Sequence, residues 1–334
     1  MQIVVSLGVL VVQLLPIMVF FGAGVLVRRR LLQQWQSDPL RLRSFQRGLN
    51  LVLMDVLLPA IAFLSMARLP LADAADQPWR LLWVPVLGLA VALLALLINH
   101  LLLGLPQFRP TAEPERRALD MLAPWSNTVI VGLPTVATLL GPQFLYVPFL
   151  ESSFVWTLVL GPLIIHRAAD RRILWTSIRP LLTTVWFWAM PLGLVWGLLE
   201  LPLVGVGLTI LERAREAFLA LGLLVVGLGF DPARLRPRNV RQLPLLSIGI
   251  SGAIKLLLCP VLALVLALPL NLPNGVAAAL ALTIATPSSL TAYIIGEREG
   301  VDPEFMSFVF ALYGVLFFGT ILIVRGLLLP LFPA

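Results

Sequence analysis

Two prolines inside long apolar runs mark the residues of this sequence whose types and spacing could do chemistry. Asn127 stands about two helical turns before Pro134 in the run NTVIVGLPTVATLLGPQF. Thr286 and Pro287 stand in the middle of the run IATPSSLTAYIIGEREGVDPEF and are followed directly by two serines. A proline inside a helix removes one hydrogen bond and clashes with the preceding turn. The spacing therefore predicts that each run is a helix broken near its proline.

Such breaks would place two half-helix N-termini at one depth of the protein. Freed backbone inside a membrane is tolerated only where it is buried in protein or lines a cavity. Thr286 could cap a half-helix that begins at Pro287, because threonine is a preferred N-cap residue and proline suits the first helical position. The exposed N–H groups and positive dipole ends favour an anion or an amide-rich group, and Asn127 adds donors and an acceptor. A simple kink at each proline is the alternative.

Ionisable side chains inside apolar runs are the second chemical feature. Asp55, Glu151, Glu216 and Lys255 lie in such runs, where an unpaired charge costs several kcal/mol and a role in function is the default expectation. Lys255 is the only lysine of the chain and lies about 12 residues, roughly 18 Å, from either end of its run. Snorkelling does not cover that depth, so Lys255 must be paired, deprotonated or in contact with water.

Each of these groups has a coupling hypothesis and a structural alternative. Lys255 could compensate charge at the helix breaks or act as a proton-sensitive amine, or it could form a static ion pair with Asp55 or Glu151. Glu151 is predicted to be the titrating or ion-binding group, and a static Glu151–Lys255 pair is the alternative. Glu216 belongs to the charged cluster 212–216, where helical i,i+3 and i,i+4 pairs are expected, and it is the residue of that cluster best placed for coupling.

The composition identifies the solvent around these residues. The 334-residue chain is 59% hydrophobic and 12% charged, whereas an ordinary soluble domain is about 25% charged. The sequence is therefore that of an integral membrane protein. Its formal charge of +7 comes from arginines in short loops, which topology and headgroup contact explain better than nucleic-acid binding. The histidines and the single cysteine lack ligand-like spacing, and no nucleotide motif occurs, so neither a metal site nor a cofactor is expected.

Ten apolar runs are long enough to cross a bilayer. They lie near residues 4–27, 49–67, 81–104, 118–140, 143–165, 181–199, 208–229, 243–268, 275–296 and 305–328. The first is predicted to be a span and not a cleaved signal peptide, because its arginines follow the apolar part. Most arginines lie in the loops after the odd-numbered spans, which predicts that these loops face the cytoplasm and both termini face outward.

Ten spans with both ends on one side can be divided into two sets of five with opposite orientation, a known way to build a transporter. The predicted units are a first five-helix repeat at 1–165, a short cytoplasmic loop at 166–180 and an inverted repeat at 181–334. Pro134 and Pro287 then fall in the fourth span of each repeat. The predicted fold is an all-α membrane protein of ten transmembrane helices.

Four stretches resemble motifs of the auxin efflux carrier family. They are NTVIVGLPTVATLLGP, similar to its fourth helix, PSSLTAYIIGEREGVDPEF, similar to its ninth, NLVLMDVLLP, similar to its second, and ALGLLVVGLGFDP, similar to the end of its seventh. The chain resembles a bacterial member, within the superfamily that includes bile-acid, arsenite and riboflavin transporters. The resemblance implies inverted five-helix repeats whose broken helices 4 and 9 cross at the substrate site. It also implies a homodimer in the bacterial inner membrane that transports an organic anion.

The breaks and the resemblance together predict the site. Substrate binding is expected at Asn127, Gly132, Pro134, Thr286, Pro287, Ser288, Ser289, Thr291 and Leu58. Coupling is expected at Glu151, Lys255, Asp55 and Glu216. Glu151 and Glu216 stand where the plant carriers tend to have glutamine and asparagine, so the plant substrate is not carried over. The long cytoplasmic loop of the plant members is also absent.

The expected function is secondary active transport of a small organic anion or carboxylate by alternating access, with protons as a candidate coupling ion. The alternative is a sodium-coupled symporter of the bile-acid type, in which Glu151 and the carbonyls at the breaks would hold the ion. A membrane-embedded enzyme such as a lipid transferase would need an acidic or nucleophilic cluster at an interface. The sequence places its polar groups at mid-span, so an enzyme is not expected.

Overall fold

The computed structural model describes residues 2–35, 38–69, 78–110, 112–153, 185–230, 243–289 and 303–331, and the regular elements in these ranges are helices. The α-helices are α1 (Gln2–Gln34), α2 (Pro39–Leu51), α3 (Leu58–Ala67), α4 (Trp83–Leu102), α5 (Glu113–Leu122), α6 (Leu133–Leu139), α7 (Tyr146–Ser153), α8 (Val185–Leu198), α9 (Gly205–Gly229), α10 (Leu245–Ala253), α11 (Cys259–Ala267), α12 (Asn274–Ile284) and α13 (Pro303–Leu331). Three π-helical turns, π1 (Val52–Leu57), π2 (Thr128–Gly132) and π3 (Ile254–Leu258), directly precede α3, α6 and α11.

Within the described ranges, four helical segments are long and apolar enough to cross a membrane. They are Leu40–Ala67, Arg80–Leu102, Leu245–Leu270 and Phe305–Leu327. Many large apolar side chains on the outside of the bundle are exposed, as they are on helices that face lipid. The protein is thus an all-α membrane protein, as its composition predicts.

Three of the prolines inside helical segments follow a π-helical turn and do not interrupt the helix. Pro59, Pro134 and Pro260 are each the second residue of an α-helix that follows a π-helical turn. The residue before each proline donates its N–H to the carbonyl five residues back, in the pairs Leu58 to Leu53, Leu133 to Thr128 and Cys259 to Ile254. The wider turn moves the carbonyl four residues back away from the proline ring, which relieves the clash that would otherwise break the helix.

The predicted break at Pro134 is therefore wrong, because π2 accommodates this proline. The fourth apolar run is interrupted upstream, at 123–127, where α5 has ended and π2 has not begun. Pro124 is the proline of that interruption. In the ninth run the chain around Pro287 is non-helical as predicted, since α12 ends at Ile284 and Pro287 lies in the non-helical stretch 285–289; the rest of the run lies outside the described residues.

Glycines bring two pairs of helices close together. α1 packs along α9, and α3 packs along α8. A methyl group added at Gly24 of α1 would lie 2.7 Å from the backbone nitrogen of Leu228, and one added at Gly193 of α8 would lie 3.0 Å from Cβ of Met66. Small residues at such contacts are a common means of packing helices in membranes.

Several sequence predictions fall outside the described residues. The end of the fifth span, the loop 166–180 and the start of the sixth span lie within 154–184, and the end of the ninth span lies within 290–302. The proposed boundaries between the repeats therefore stay predictions.

Candidate functional site

The two interrupted stretches are the non-helical residues 123–127 and 285–289. They lie against each other, and we call the place where they meet the crossing. The N–H of Asn127 donates to the carbonyl of Pro287 at 2.8 Å, and the N–H of Ser289 donates to the carbonyl of Trp125 at 3.0 Å. These bonds form one antiparallel bridge centred on Ser126 and Ser288. The crossing therefore satisfies backbone groups that no helix could satisfy at this depth.

Two serine side chains cap the helices of the opposite stretch. Ser288 Oγ donates to the carbonyl of Leu122, the last residue of α5, at 2.6 Å. Ser126 Oγ donates to the carbonyl of Ile284, the last residue of α12, at 3.2 Å. The last carbonyls of a helix have no partner within the helix. Each serine therefore supplies a hydrogen-bond donor to the last carbonyl of the helix that precedes the other stretch. Exchanging the two stretches leaves this pattern of hydrogen bonds unchanged, so the crossing has approximate two-fold symmetry.

Lys255 reaches the crossing from π3. Its side chain is fully buried. Its Nζ lies 2.6 Å from Ser126 Oγ and donates to the carbonyl of Ile284 at 3.0 Å. The C-terminal end of a helix carries partial negative charge, so an ammonium at the end of α12 is electrostatically favoured. Both hydrogen bonds described for Lys255 go to these two partners, and Asp55 is exposed, so the alternative of an ion pair with Asp55 is wrong.

Glu151 of α7 lies at the N-terminal end of π2, whereas Lys255 lies at the C-terminal end of α12. Thr128 Oγ1, in the first residue of π2, donates to Glu151 Oε2 at 2.9 Å, and both side chains are buried. A carboxylate near the N-terminal end of a helical segment is favoured by the dipole of that segment. The hydrogen bonds described for Lys255 do not include Glu151. The two side chains reach the crossing separately, Glu151 through Thr128 and Lys255 through Ser126 and Ile284.

A cavity of about 250 Å³ lies beside the crossing. Asn127 and Pro287 form one wall, and the remaining described walls come from α1, α2, π2, α9, α13 and the residue that follows α9. The polar side chains of the wall are those of Gln46, Asn50, Asn127 and Ser307. None of the described residues that line the cavity carries a charge. The cavity suits a small molecule with an apolar body and one strongly hydrogen-bonding group.

Most of the predicted substrate residues meet at the crossing, but of those that the structure describes only Asn127 and Pro287 line the cavity. Gly132 lies in π2 with Thr286 close by, since a Cβ at Gly132 would lie 3.7 Å from Thr286 Cγ2. Thr286 does not cap a half-helix as predicted, because its hydroxyl donates to the carbonyl of Thr283 at 2.7 Å, in the helix that ends there. Leu58 is buried in the apolar core.

The structure does not bring Asp55 or Glu216 to the crossing. Asp55 is exposed in π1. Glu216 is exposed on α9 and accepts from Arg213 at 2.8 Å, which is the helical i,i+3 pair expected as the alternative for its cluster. Thr291 lies outside the described residues.

Three polar lining residues were not among the predicted substrate residues. Gln46 and Asn50 are four residues apart on α2 and therefore share one face of that helix, and Ser307 lies near the start of α13. Asn50 belongs to the stretch NLVLMDVLLP, whose resemblance to a second carrier helix was a usable signal. Gln46 and Ser307 had no such signal, because isolated polar residues near span ends usually face water or headgroups.

A further polar cluster, buried at Asn99 and partly buried at His100 and Arg116, joins α4 to α5. Asp120 accepts from Asn99 Nδ2 at 2.9 Å, and its other oxygen lies 2.8 Å from His100 Nδ1. Arg116 Nη2 lies 3.1 Å from His100 Nε2. The cluster holds α5 against α4. It therefore positions the helix whose last carbonyl accepts a hydrogen bond from Ser288 Oγ.

These features define a class of protein: a helical membrane protein in which two non-helical stretches meet at a polar centre with a cavity beside it. No family model matches the chain, and no curated protein is similar enough to indicate a relationship. The likeness to the auxin efflux carriers therefore depends on the four motifs in the sequence.

Proposed function

We propose that the protein is a secondary active transporter that moves a small organic anion or carboxylate across the membrane by alternating access. The observation that carries the proposal is the reciprocal crossing of two interrupted helices beside a cavity lined by amides. Interrupted helices at the bilayer midplane are the usual site of substrate and ion binding in secondary transporters. An interruption that only shaped the fold would not need a cavity next to it.

The two-fold pattern of contacts supports an inverted repeat. Ser126 and Ser288 exchange equivalent hydrogen bonds with the helix that precedes the other serine. In the ten-span numbering, the packing of α1 on α9 joins spans 1 and 7, and the packing of α3 on α8 joins spans 2 and 6. These two contacts become equivalent when the five-span halves are exchanged. We therefore include in the proposal ten helices in two inverted repeats, built like the auxin efflux carriers and forming a homodimer with both termini outside.

An anion fits the electrostatics of the cavity wall. Asn127 stands where π2 begins, so the positive end of that segment points toward the cavity. Arg28 Nη1 donates to the carbonyl of Leu228, next to the lining residue Gly229, and so brings positive charge close to the wall. Amides and a partial positive charge together can bind a carboxylate without a full charge in the wall, which keeps binding weak enough for release.

A membrane-embedded enzyme is the second candidate, because one distance favours it. Lys255 Nζ and Ser126 Oγ are 2.6 Å apart, the spacing of a serine nucleophile and a lysine base. However, Ser126 Oγ donates to Ile284, and Ser126 is not among the described residues that line the cavity. A fluorophosphonate probe should therefore leave Ser126 unlabelled, and labelling that is lost in Ser126→Ala would favour the enzyme.

The test of transport uses two glycines of α13. A Cβ at Gly314, which lines the cavity, would meet no atom within 4 Å, and the same holds for Gly319, which is exposed on the outside of α13. Gly314→Trp should fill the cavity without disturbing the helix, whereas Gly319→Trp adds the same side chain outside it. Proteoliposomes would be tested with a panel of radiolabelled mono- and dicarboxylates that includes indole-3-acetate.

We expect uptake of at least one member of the panel by the wild type and by Gly319→Trp, and loss of that uptake in Gly314→Trp. Equal uptake by both variants would show that the cavity is not on the transport path. Absence of uptake of any panel member by a folded wild-type protein would refute the proposal for organic anions.

A further inference from the structure

Lys255 is the one lysine in the chain, and its surroundings are those of a bound cation. Its ammonium is fully buried and contacts a hydroxyl oxygen of one interrupted stretch and the last carbonyl oxygen of the helix before the other. Neutral oxygens of this kind, at half-helix C-terminal ends and unwound backbone, are the ligands that hold alkali cations in transporters with interrupted helices. The fully buried carboxyl group of Glu151 is an acidic group close to these ligands, since it accepts from Thr128, two residues after Ser126 along the chain.

We propose that the Lys255 ammonium is a built-in cation that occupies the place of a coupling sodium ion, so that the protein works without sodium. The part of this proposal that concerns coupling rests on the proposed transport function. The proposal also distinguishes sodium-independent transport from the sodium-coupled alternative, in which the same carbonyls and Glu151 would hold a free ion. A covalently attached cation makes the charge at the crossing independent of the sodium concentration on either side of the membrane.

The local fold explains how one lysine can reach both stretches. Lys255 is the second residue of π3, the wide turn that accommodates Pro260. π-helical turns are rare and occur often at functional sites, because the extra residue redirects the side chains around it. Lys255 therefore points into the bundle, where its two acceptors come from different interrupted runs, and it links the two halves at their meeting point.

Lys255 also neutralises partial negative charge at the crossing. The carbonyl of Ile284 is the end of α12 and carries the negative end of its dipole. Ser126 gives it one neutral donor at 3.2 Å, and Lys255 gives it a charged donor at 3.0 Å. Without the ammonium, this buried end of the helix would leave partial negative charge at the crossing. A small cation is the simplest replacement.

The experiment compares two kinds of substitution at Lys255. Lys255→Ala removes the ammonium and leaves space for an ion, whereas Lys255→Met removes the charge and fills most of the space. Thermal unfolding of the purified full-length protein would be measured in equal concentrations of sodium, lithium, potassium and choline chloride. Choline is too large for the site, and constant ionic strength removes general screening as a cause.

We expect the unfolding midpoint of the wild type and of Lys255→Met to be the same in sodium, lithium, potassium and choline. The midpoint of Lys255→Ala should rise by about 2 °C or more in at least one alkali chloride relative to choline, because an ion that binds only the folded state stabilises it. A sodium-specific rise in the wild type would overturn the proposal, as would a Lys255→Ala protein that responds to no alkali cation.

Failure to fold is covered by a second variant, Lys255→Ser, whose hydroxyl can add a ligand to the vacated space. Recovery of Lys255→Ala or Lys255→Ser only from buffers with an alkali cation would support the proposal. Loss of both in every buffer would overturn it, because Lys255 would then be needed for folding alone. These measurements need no substrate, so they are independent of the uptake assay. Uptake failure with the expected cation pattern would refute transport and leave the cation site standing.

Discussion

Asn127→Ala separates the role of this residue in the fold from a role in binding. The backbone of Asn127 donates to the carbonyl of Pro287, and its carbonyl accepts from Val131 and Gly132. Alanine keeps all three of these bonds, because none of them uses the side chain. The variant should therefore fold with the crossing intact and lose only the amide in the cavity wall.

The size of the expected loss follows from what the amide would bind. A hydrogen bond to a charged group contributes about 1.5–3 kcal/mol, which corresponds to about 10- to 150-fold in affinity. The cavity has three other polar lining side chains among its described residues, Gln46, Asn50 and Ser307, and they retain part of the binding. Asn127→Ala should accordingly raise the KM for the transported carboxylate at least about tenfold.

The assay is concentration-dependent uptake into proteoliposomes, with unfolding midpoints measured on the same preparations. Asn274→Ala is the matched control, since Asn274 is exposed at the start of α12 and does not line the cavity. A folded Asn127→Ala protein with the KM and maximal rate of the wild type would remove Asn127 from the substrate site. Loss of folding in Asn127→Ala would instead contradict the conclusion that its backbone bonds suffice for the crossing.

Two further substitutions test the crossing and its charge. Ser288→Ala removes the donor to the carbonyl of Leu122, in a fully buried position, and should lower the free energy of unfolding by about 1–3 kcal/mol. Chemical unfolding measures this loss, and a stability equal to that of the wild type would show that the serine cap is dispensable. Glu151→Gln keeps an oxygen that can accept from Thr128, so the variant should fold, but it should lose the pH dependence of uptake. An unchanged pH profile would exclude Glu151 as the group that couples transport to protons.

The sequence predicts the polar centre well because charge and polarity are costly in a membrane. Asn127 and Lys255 stand out in apolar runs, and the structure buries both at the crossing or beside it. The same cost does not identify side chains near the ends of runs, where water satisfies polar groups. Gln46 and Ser307 were missed for this reason, and exposed Asp55 and Glu216 were assigned to the site although water and a neighbouring arginine suffice for them.

Local sequence does not predict whether a proline interrupts a helix. Pro134 and Pro287 both lie in the middle of apolar runs, yet a π-helical turn accommodates the first and an extended stretch contains the second. The difference comes from tertiary partners. The non-helical stretch around Pro287 exchanges backbone hydrogen bonds with 123–127, and these bonds replace the helical ones that it lacks. No such partner is described for Pro134. The interruption therefore lies where two stretches can satisfy each other.

Charge balance at the crossing connects the fixed cation with a proton as the coupling ion. Lys255 and Glu151 are both fully buried, and their charges sum to zero when both are ionised. An anion that enters the adjacent cavity adds one uncompensated negative charge, which is unfavourable where the dielectric constant is low. A sodium ion could restore charge neutrality in a carrier with an open cation site. Here the ammonium of Lys255 already donates to the carbonyl of Ile284, which would be a ligand of that ion. Under the proposed transport function, a proton on Glu151 would restore the balance without a new site. The proposal then implies one proton per monovalent anion.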